Sequence, residues 1–337
     1  MRFLVFPMML IAALLAGGFR ADNGGAQVQD SGFLAQVDDP RFPLGEGPRV
    51  CQDQGHFNFH KLDARFAAFA LLLGADGYQL EPLDVLFEAG VPPRCDVLVI
   101  ANAQPSDLPW NDYPRPTPSA FSTAEIAALH DWVAGGGNLL LIADHMPLAG
   151  ASADLATAFG FHFQDGFAAR PAAAGQGGAQ GFTMPDLFRA EDGTLVDGPV
   201  TDGRYGGGTV TQVATFIGQA FQAEPGVRPL LVLPQGFVVL MPDKPWVFTP
   251  QTPRTPAAGW LQGATREVGL GRVAVFGEAA MFTSQIASNG QSMGLDAPGA
   301  EQNRLFVRNV VRWLSERPPA DPEGSSKAVQ ETGGLER

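Results

Sequence analysis

Three apolar strands that the sequence predicts, at 48–53, 138–143 and 272–277, are each followed directly by acidic or histidine side chains. If these strands are parallel, their carboxyl ends lie at one edge of a sheet, which is where open α/β sheets bind ligands. We therefore expect the polar residues after the strands to converge on one site. These residues are Asp53, His56, His60, Asp144, His145 and Glu278.

Imidazole and carboxylate groups together favour a divalent metal site. We expect His56, His60 and His145 to hold one divalent ion, Zn²⁺ or Mn²⁺, or to polarise a substrate directly. Asp144 or Glu278 would then act as the general base that activates water. The residues expected to contact the substrate are Asp53, Asn102 and Gln285.

A structural interpretation of the same residues stands beside the catalytic one. Asp144 and His145 can cap the following helix, and Glu278 can cap a helix N-terminus, where the helix dipole favours an anion. His56 and His60 are spaced His-x-x-x-His without the glutamate of the H-E-x-x-H zinc motif. The histidine spacing alone therefore does not establish a metal site.

The elements that would position these residues alternate between strands and helices. Further strands are predicted at 78–83 and 95–101, and helices at 62–73, 122–133, 152–159 and 302–315. The helix at 122 opens with the capping-box sequence Ser122-Thr-Ala-Glu125. This order predicts an α/β protein with a three-layer, flavodoxin-like, mostly parallel sheet, and a β-rich insertion at about 163–262.

The two ends of the chain have different compositions from the central part. Arg2 and the apolar run 3–16 predict a signal peptide over 1–18, and hence a periplasmic or secreted protein without a stable membrane span after cleavage. Residues 19–46 are expected to form a linker or extended arm. The α/β domain would span 47–316, and residues 317–337 would be a disordered tail.

Composition narrows the possible partners of the protein. The chain has 337 residues, and 22 basic against 35 acidic residues give a net charge of −13. Nucleic acid is not expected as a partner, because phosphate binding needs a basic surface. A small-molecule substrate or ligand is expected instead.

Cys51 and Cys95 either form a disulfide, which an oxidising compartment permits, or remain two buried thiols.

Five segments carry a family resemblance: CQDQGHFNFH (51–60), CDVLVIANA (95–103), FSTAEIAALHDWVAGGGNLLLIADHMPLAGA (121–151), GTLVDGPVTDG (193–203) and GRVAVFGEAAMFTSQ (271–285). The chain resembles the glutamine-amidotransferase-like superfamily, and within it the poorly characterised secreted branch near the trehalose-utilisation-protein-like proteins. The resemblance implies the fold and the place of the pocket. It does not imply glutamine hydrolysis, since Asp144, His145 and Met146 stand at the turn where the family places its cysteine nucleophile, and the Cys-His-Glu triad is absent.

These observations predict an exported hydrolase that acts on a small polar, carbohydrate-like substrate at the carboxyl edge of the sheet, with or without a metal. The alternative is a non-catalytic ligand-binding or envelope-assembly module of the same fold, which the missing nucleophile favours.

Overall fold

A computed structural model describes residues 27–172 and 181–316. The predicted signal peptide, 1–18, and the predicted tail, 317–337, lie outside the described residues. Within the described ranges the strands are β1 Val28–Gln29, β2 Arg49–Asp53, β3 Gln79–Leu83, β4 Val97–Ala101, β5 Asn138–Ile142, β6 Phe161–Phe163, β7 Phe167–Ala169, β8 Asp186–Arg189, β9 Gln212–Thr215, β10 Phe221–Ala223, β11 Arg228–Val232, β12 Val238–Leu240, β13 Arg254–Pro256, β14 Leu261–Val268, β15 Gly271–Phe276, β16 Ser284–Ile286 and β17 Ser292–Gly294. The α-helices are α1 Ala67–Ala75, α2 Thr123–Ala134, α3 Leu148–Ala158 and α4 Asn303–Ser315, and 3₁₀ turns lie at Trp110–Asp112 and Ala280–Phe282.

A nine-stranded sheet forms the centre of the protein, in the order β3-β2-β4-β5-β15-β14-β10-β6, with β11 also paired to β14. The first five strands are parallel, and the strands beyond β15 pair antiparallel. The carboxyl ends of β2, β4, β5 and β15 therefore lie at the same edge. This arrangement confirms the predicted mostly parallel sheet.

The sheet is covered by helices on both faces. Along β4 the side chains alternate: Val97 and Val99 belong to a core cluster shared with α1 and α4, whereas Leu98 and Ile100 belong to one shared with α2 and α3. A strand buried on both faces needs a nearly continuous apolar sequence, and VLVIA meets that requirement. The three-layer α/β architecture follows from this alternation.

None of the helices in the described ranges combines the length and apolarity needed to cross a membrane.

The segment predicted to be β-rich contains short antiparallel strands. β7, β12 and β13 form one small sheet, and β8 pairs with β9 in another. β10, β11 and β14 instead extend the central sheet. The segment is therefore rich in β-structure, as the sequence predicts.

The described part of the expected linker, 27–46, packs along the domain. β1 pairs antiparallel with β16, which places Val28 opposite Ile286. The backbone N–H of Arg41 donates to the buried carboxylate of Asp76, which also accepts hydrogen bonds from Arg308 and Arg312 of α4. These contacts join the amino-terminal segment to the last helix.

Cys51 and Cys95 form a disulfide, which the sequence left undecided. Their Cα atoms lie 5.7 Å apart, and the bridge joins β2 to the turn before β4. The crosslink therefore holds β2, which ends at Asp53, beside the start of β4.

Two helices begin at different residues from those predicted. α1 starts at Ala67 rather than near residue 62, because residues 61–66 form turns in which Phe66 N–H donates to the Lys61 carbonyl. α3 starts at Leu148, directly after Pro147, and not at residue 152. Proline suits the start of a helix because it has no N–H to leave unpaired.

The predicted capping box at the start of α2 is present. Ser122 Oγ accepts the Glu125 N–H, and Glu125 Oε2 accepts the Ser122 N–H. We expect Ser122→Ala to lower the free energy of unfolding by about 1 kcal/mol, because the first turn loses an acceptor. Urea unfolding measures this loss, and Thr123→Ala at the next, exposed residue is the control. Equal stability of the two variants would contradict the capping role.

Candidate functional site

A cavity of about 980 Å³ opens at the carboxyl edge of the central sheet. Six of the eight predicted site residues line it: His60, Asn102, Asp144, His145, Glu278 and Gln285. They come from the segments that follow β2, β4, β5 and β15, as parallel pairing requires. Asp53 and His56 do not line this cavity.

Asn102 organises the centre of the site. Its backbone is left-handed (φ 54°), a strained conformation that is common at functional positions. Its Oδ1 accepts the backbone N–H of Asp144 at 2.8 Å. The amide nitrogen therefore faces Nδ1 of His60, 2.9 Å away. Because an amide nitrogen only donates, Nδ1 of His60 must be the acceptor.

His60 is consequently a neutral hydrogen-bond donor. Burial, and then the charges of Arg65 and His145, lower the pKa of His60 to about 3. With Nδ1 accepting from Asn102, the ring proton resides on Nε2. His60 can therefore donate to a substrate oxygen over the whole physiological pH range.

Asp144 and Glu278 form a pair of buried carboxyl groups at the cavity. Burial raises the pKa of Asp144, and burial followed by the Asp144 charge raises the pKa of Glu278 well above its ordinary value. Two like charges at close range do not both ionise easily, so Glu278 loses its proton at a higher pH than Asp144. Glu278 also accepts the N–H groups of Ala280 and Met281, so the helix-capping interpretation holds as well.

His145 lies among aromatic rings at the cavity. Its ring stacks on Phe167 with centroids 4.4 Å apart, and it lies 4.6 Å from Trp246 and 5.8 Å from Trp110. Nδ1 is 2.8 Å from the Met146 carbonyl, which only accepts, so Nδ1 carries a proton. When Nδ1 carries the only ring proton, Nε2 is an acceptor.

Gln285 lines the cavity but has its side chain bonded within the protein. Its Oε1 accepts from Arg65 and its Nε2 donates to Thr283. A role for Gln285 in substrate binding would require these bonds to open.

His56 lies in a separate buried cluster beside the site. Its Nδ1 is 2.9 Å from Asp53 Oδ1, and its Nε2 is 2.9 Å from Glu125 Oε1. Both ring nitrogens are therefore engaged by carboxylates, and neither is open to a metal. The described residues contain no group of three or more His, Cys, Asp or Glu side chains arranged to hold a metal ion. His56, His60 and His145 thus do not form the expected ligand set, and we derive no step through a metal.

The aromatic residues of the site are what the sequence analysis missed. Trp110 and Trp246 come from loops, and both follow a proline, in Leu108-Pro109-Trp110 and Lys244-Pro245-Trp246. Trp246 also has a left-handed backbone (φ 66°). A bulky apolar side chain in a proline-containing loop is a signal that could have identified them.

Comparison with known proteins shows the fold of the chain. No family model matches it, and a search of curated proteins finds no match. Among solved structures, the mmIFT52 N-terminal domain has a TM-score of 0.55 at 12% identity, over 81% of this chain and 100% of that chain. A ThuA-like protein from Bacteroides uniformis has a TM-score of 0.41 at 13% identity, over 83% of this chain and 93% of that chain. A ThuA-like protein from Parabacteroides merdae has a TM-score of 0.40 at 8% identity, over 82% and 94%. At 12% identity, the likeness to the mmIFT52 domain shows a shared fold and nothing about activity.

Proposed function

We propose that this protein is a hydrolase for a small, polyhydroxylated, carbohydrate-like substrate that binds in the cavity. The observation that carries the proposal is the Asp144–Glu278 pair, in which burial and then the Asp144 charge raise the pKa of Glu278 beside an open cavity. Titratable groups with pKa values displaced in this way are typical of acid–base sites.

In the proposed reaction Asp144 is the general base and removes a proton from a water molecule. The water oxygen forms a bond to the electrophilic carbon of the substrate, and the bond from that carbon to the leaving oxygen breaks. Asp144 then returns its proton to the leaving oxygen. Its raised pKa suits this exchange, because a base works best when its pKa is near the operating pH.

The neighbouring residues support these proton transfers. Glu278 is fully buried and has a pKa raised well above its ordinary value, so Asp144 is the member of the pair that ionises first as pH rises. His60 Nε2–H donates to a substrate oxygen and stabilises the charge that develops there. His145 Nε2 accepts a hydrogen bond from a substrate hydroxyl group.

The aromatic walls favour a ring-shaped substrate with an apolar face. Trp110 and Trp246 lie on the cavity beside His145, and Phe59 packs 5.0 Å from Trp110. Flat aromatic faces stack on the C–H face of a sugar ring, while the polar groups take its hydroxyls. A carbohydrate-like substrate combines both properties.

The proposal includes export and a distant family relationship. Disulfides persist in oxidising compartments, so the Cys51–Cys95 bridge supports a periplasmic or secreted location. We also infer that the chain is a divergent relative of the glutamine-amidotransferase-like superfamily, near the trehalose-utilisation-protein-like branch, on the motifs quoted above. The chain has only these two cysteines and both are oxidised, so neither supplies the thiol nucleophile of an amidotransferase.

A panel of 4-nitrophenyl glycosides and 4-nitrophenyl acyl esters tests the activity. We expect nitrophenol release from at least one glycoside, and a KM that is higher by up to about tenfold for Trp246→Ala, because losing one aromatic stack costs about 1.4 kcal/mol or less. The matched control is Val247→Ala, since Val247 is the next residue and 53% exposed.

Binding without turnover supports the alternative function. If the parent sugars quench tryptophan fluorescence but no member of the panel is cleaved, the protein is a ligand-binding module. If neither binding nor cleavage occurs, the carbohydrate proposal is wrong.

A further inference from the structure

His56 was expected to bind a metal, but its surroundings indicate a different role. Its side chain is 2% exposed and lies between the rings of Phe87 and Phe121, with centroids 5.2 and 4.5 Å away. Asp53 at the end of β2 faces one ring nitrogen, and Glu125 in the first turn of α2 faces the other. His56 therefore connects the sheet edge to α2 through Glu125, which lies 69 residues later in the sequence.

Only the charged form of His56 fits this arrangement. Each ring nitrogen contacts a carboxylate oxygen, and ionised carboxylates only accept hydrogen bonds. A neutral imidazole has one N–H and would leave one carboxylate facing a lone pair. The imidazolium cation donates to both, and Asp53 and Glu125 are the ionised groups that face it from the two elements packed against its edges.

The same cluster fixes the backbone between His56 and the cavity. Asp53 also accepts from the Gly55 N–H and from Asn58 Nδ2, and Asn58 Oδ1 accepts the His56 N–H. Phe59 N–H donates to the Asn102 carbonyl, and Gln52 Nε2 donates to the His60 carbonyl. The segment 54–60 is therefore held at both ends, and its last residue is the proposed donor in the cavity.

We propose that His56 is a positioning residue: as a cation between Asp53 and Glu125, it holds the segment 54–60 so that His60 stays in its single donor tautomer against Asn102. The importance of His60 rests on the proposed function, but its tautomer can be measured without any substrate. Failure of this inference can therefore be distinguished from failure of the hydrolase proposal.

The pH dependence follows from the charge of His56. Burial opposes the cation, but Asp53 and then Glu125 outweigh burial and raise the pKa of His56 above its ordinary value. A group whose folded-state pKa is raised contributes stability fully below its unfolded pKa, about 6.5 for histidine, and loses it as pH rises through the folded-state value. The contribution of the His56 cation is therefore complete below about pH 6.5 and is lost as pH rises through the raised pKa of folded His56.

Histidine-labelled ¹⁵N NMR of the full chain tests the inference. In the wild type we expect His60 to show the Nε2–H tautomer alone. In His56→Gln, at a temperature where the protein is folded, we expect that single-tautomer pattern to be lost, and the stability deficit of the variant to shrink above pH 6.5. His130→Gln is the control, because His130 is a half-buried histidine on α2 that does not line the cavity.

If His56→Gln does not fold, titration of the wild-type protein to high pH, followed by the same NMR signals, tests whether the charge of His56 controls the His60 tautomer. The His60 pattern should then change over the same pH range in which His56 loses its proton. An unchanged His60 pattern, in the folded variant or through the deprotonation of His56, would overturn the inference and leave His56 with a role in stability alone.

Discussion

Asp144→Asn is expected to lower kcat by about 10²- to 10⁴-fold, the usual contribution of a general base. The substrate for this measurement is the glycoside that the chromogenic panel identifies. Asparagine keeps an oxygen for the His145 N–H, which Asp144 Oδ1 accepts at 2.8 Å, but it cannot remove a proton from water. KM should change less than kcat, because the base acts in the transition state.

The fold of this variant should survive, and its stability at pH 7 should not fall. The pKa of Asp144 is raised, so this group favours folding below its unfolded pKa, about 3.9, and opposes it as pH rises through the folded-state value. Asparagine removes that opposition. Asp154→Asn, at an exposed aspartate on α3, is the control and should leave kcat unchanged.

Glu278→Gln distinguishes the role of Glu278 from that of Asp144. Glutamine is uncharged, like protonated Glu278, and keeps one oxygen for the backbone N–H groups that Glu278 accepts, so we expect a loss of kcat of only about tenfold, or about 1.4 kcal/mol. A loss equal to that of Asp144→Asn would mean that Glu278 takes a direct part in proton transfer. If the Asp144→Asn variant has the same kcat as the wild type, Asp144 is not the general base.

Reducing the Cys51–Cys95 disulfide is expected to lower the free energy of unfolding by about 4 kcal/mol. The two cysteines are 44 residues apart, and the chain-entropy estimate for closing a loop of that length gives this magnitude. Urea unfolding of the oxidised and reduced protein measures it. Reduction keeps both sulfur atoms, so the comparison isolates the crosslink from any change in packing.

A double variant, Cys51→Ala and Cys95→Ala, is the control for the reductant. Its unfolding curve should be the same with and without reductant. A loss below about 1 kcal/mol in the wild type would mean that contacts across β2, β3 and β4 already restrict the unfolded chain.

The sheet and the centre of the site could be predicted because local sequence determines them. The apolar runs of β4 and β5 need burial on both faces, and parallel pairing then brings the residues that follow them to one edge. Asn102, Asp144 and Glu278 were identified in this way. Each occupies a strand end, so its position depends on the strand and not on distant partners.

The role of His56 could not be predicted from its neighbours in sequence. Its second partner, Glu125, was recognised as part of a helix cap, and nothing in that motif indicates which other group the carboxylate will contact. The walls formed by Trp110 and Trp246 were missed for a similar reason. Loop residues carry no periodicity, and their positions depend on the tertiary packing of the loops.

The pairing of β1 with β16 has a consequence for the order in which the protein folds. Gln27 and Gln285 both line the cavity, and they come from segments near opposite ends of the chain. During synthesis from the amino end, Val28 must remain without its strand partner until the ribosome has made Ile286 and the strand around it. The part of the cavity wall that contains Gln27 and Gln285 therefore forms late, at a stage when the central sheet can already be complete. A ribosome-bound fragment ending before β16 has every strand of the central sheet, but it still lacks helix α4 and a finished binding site.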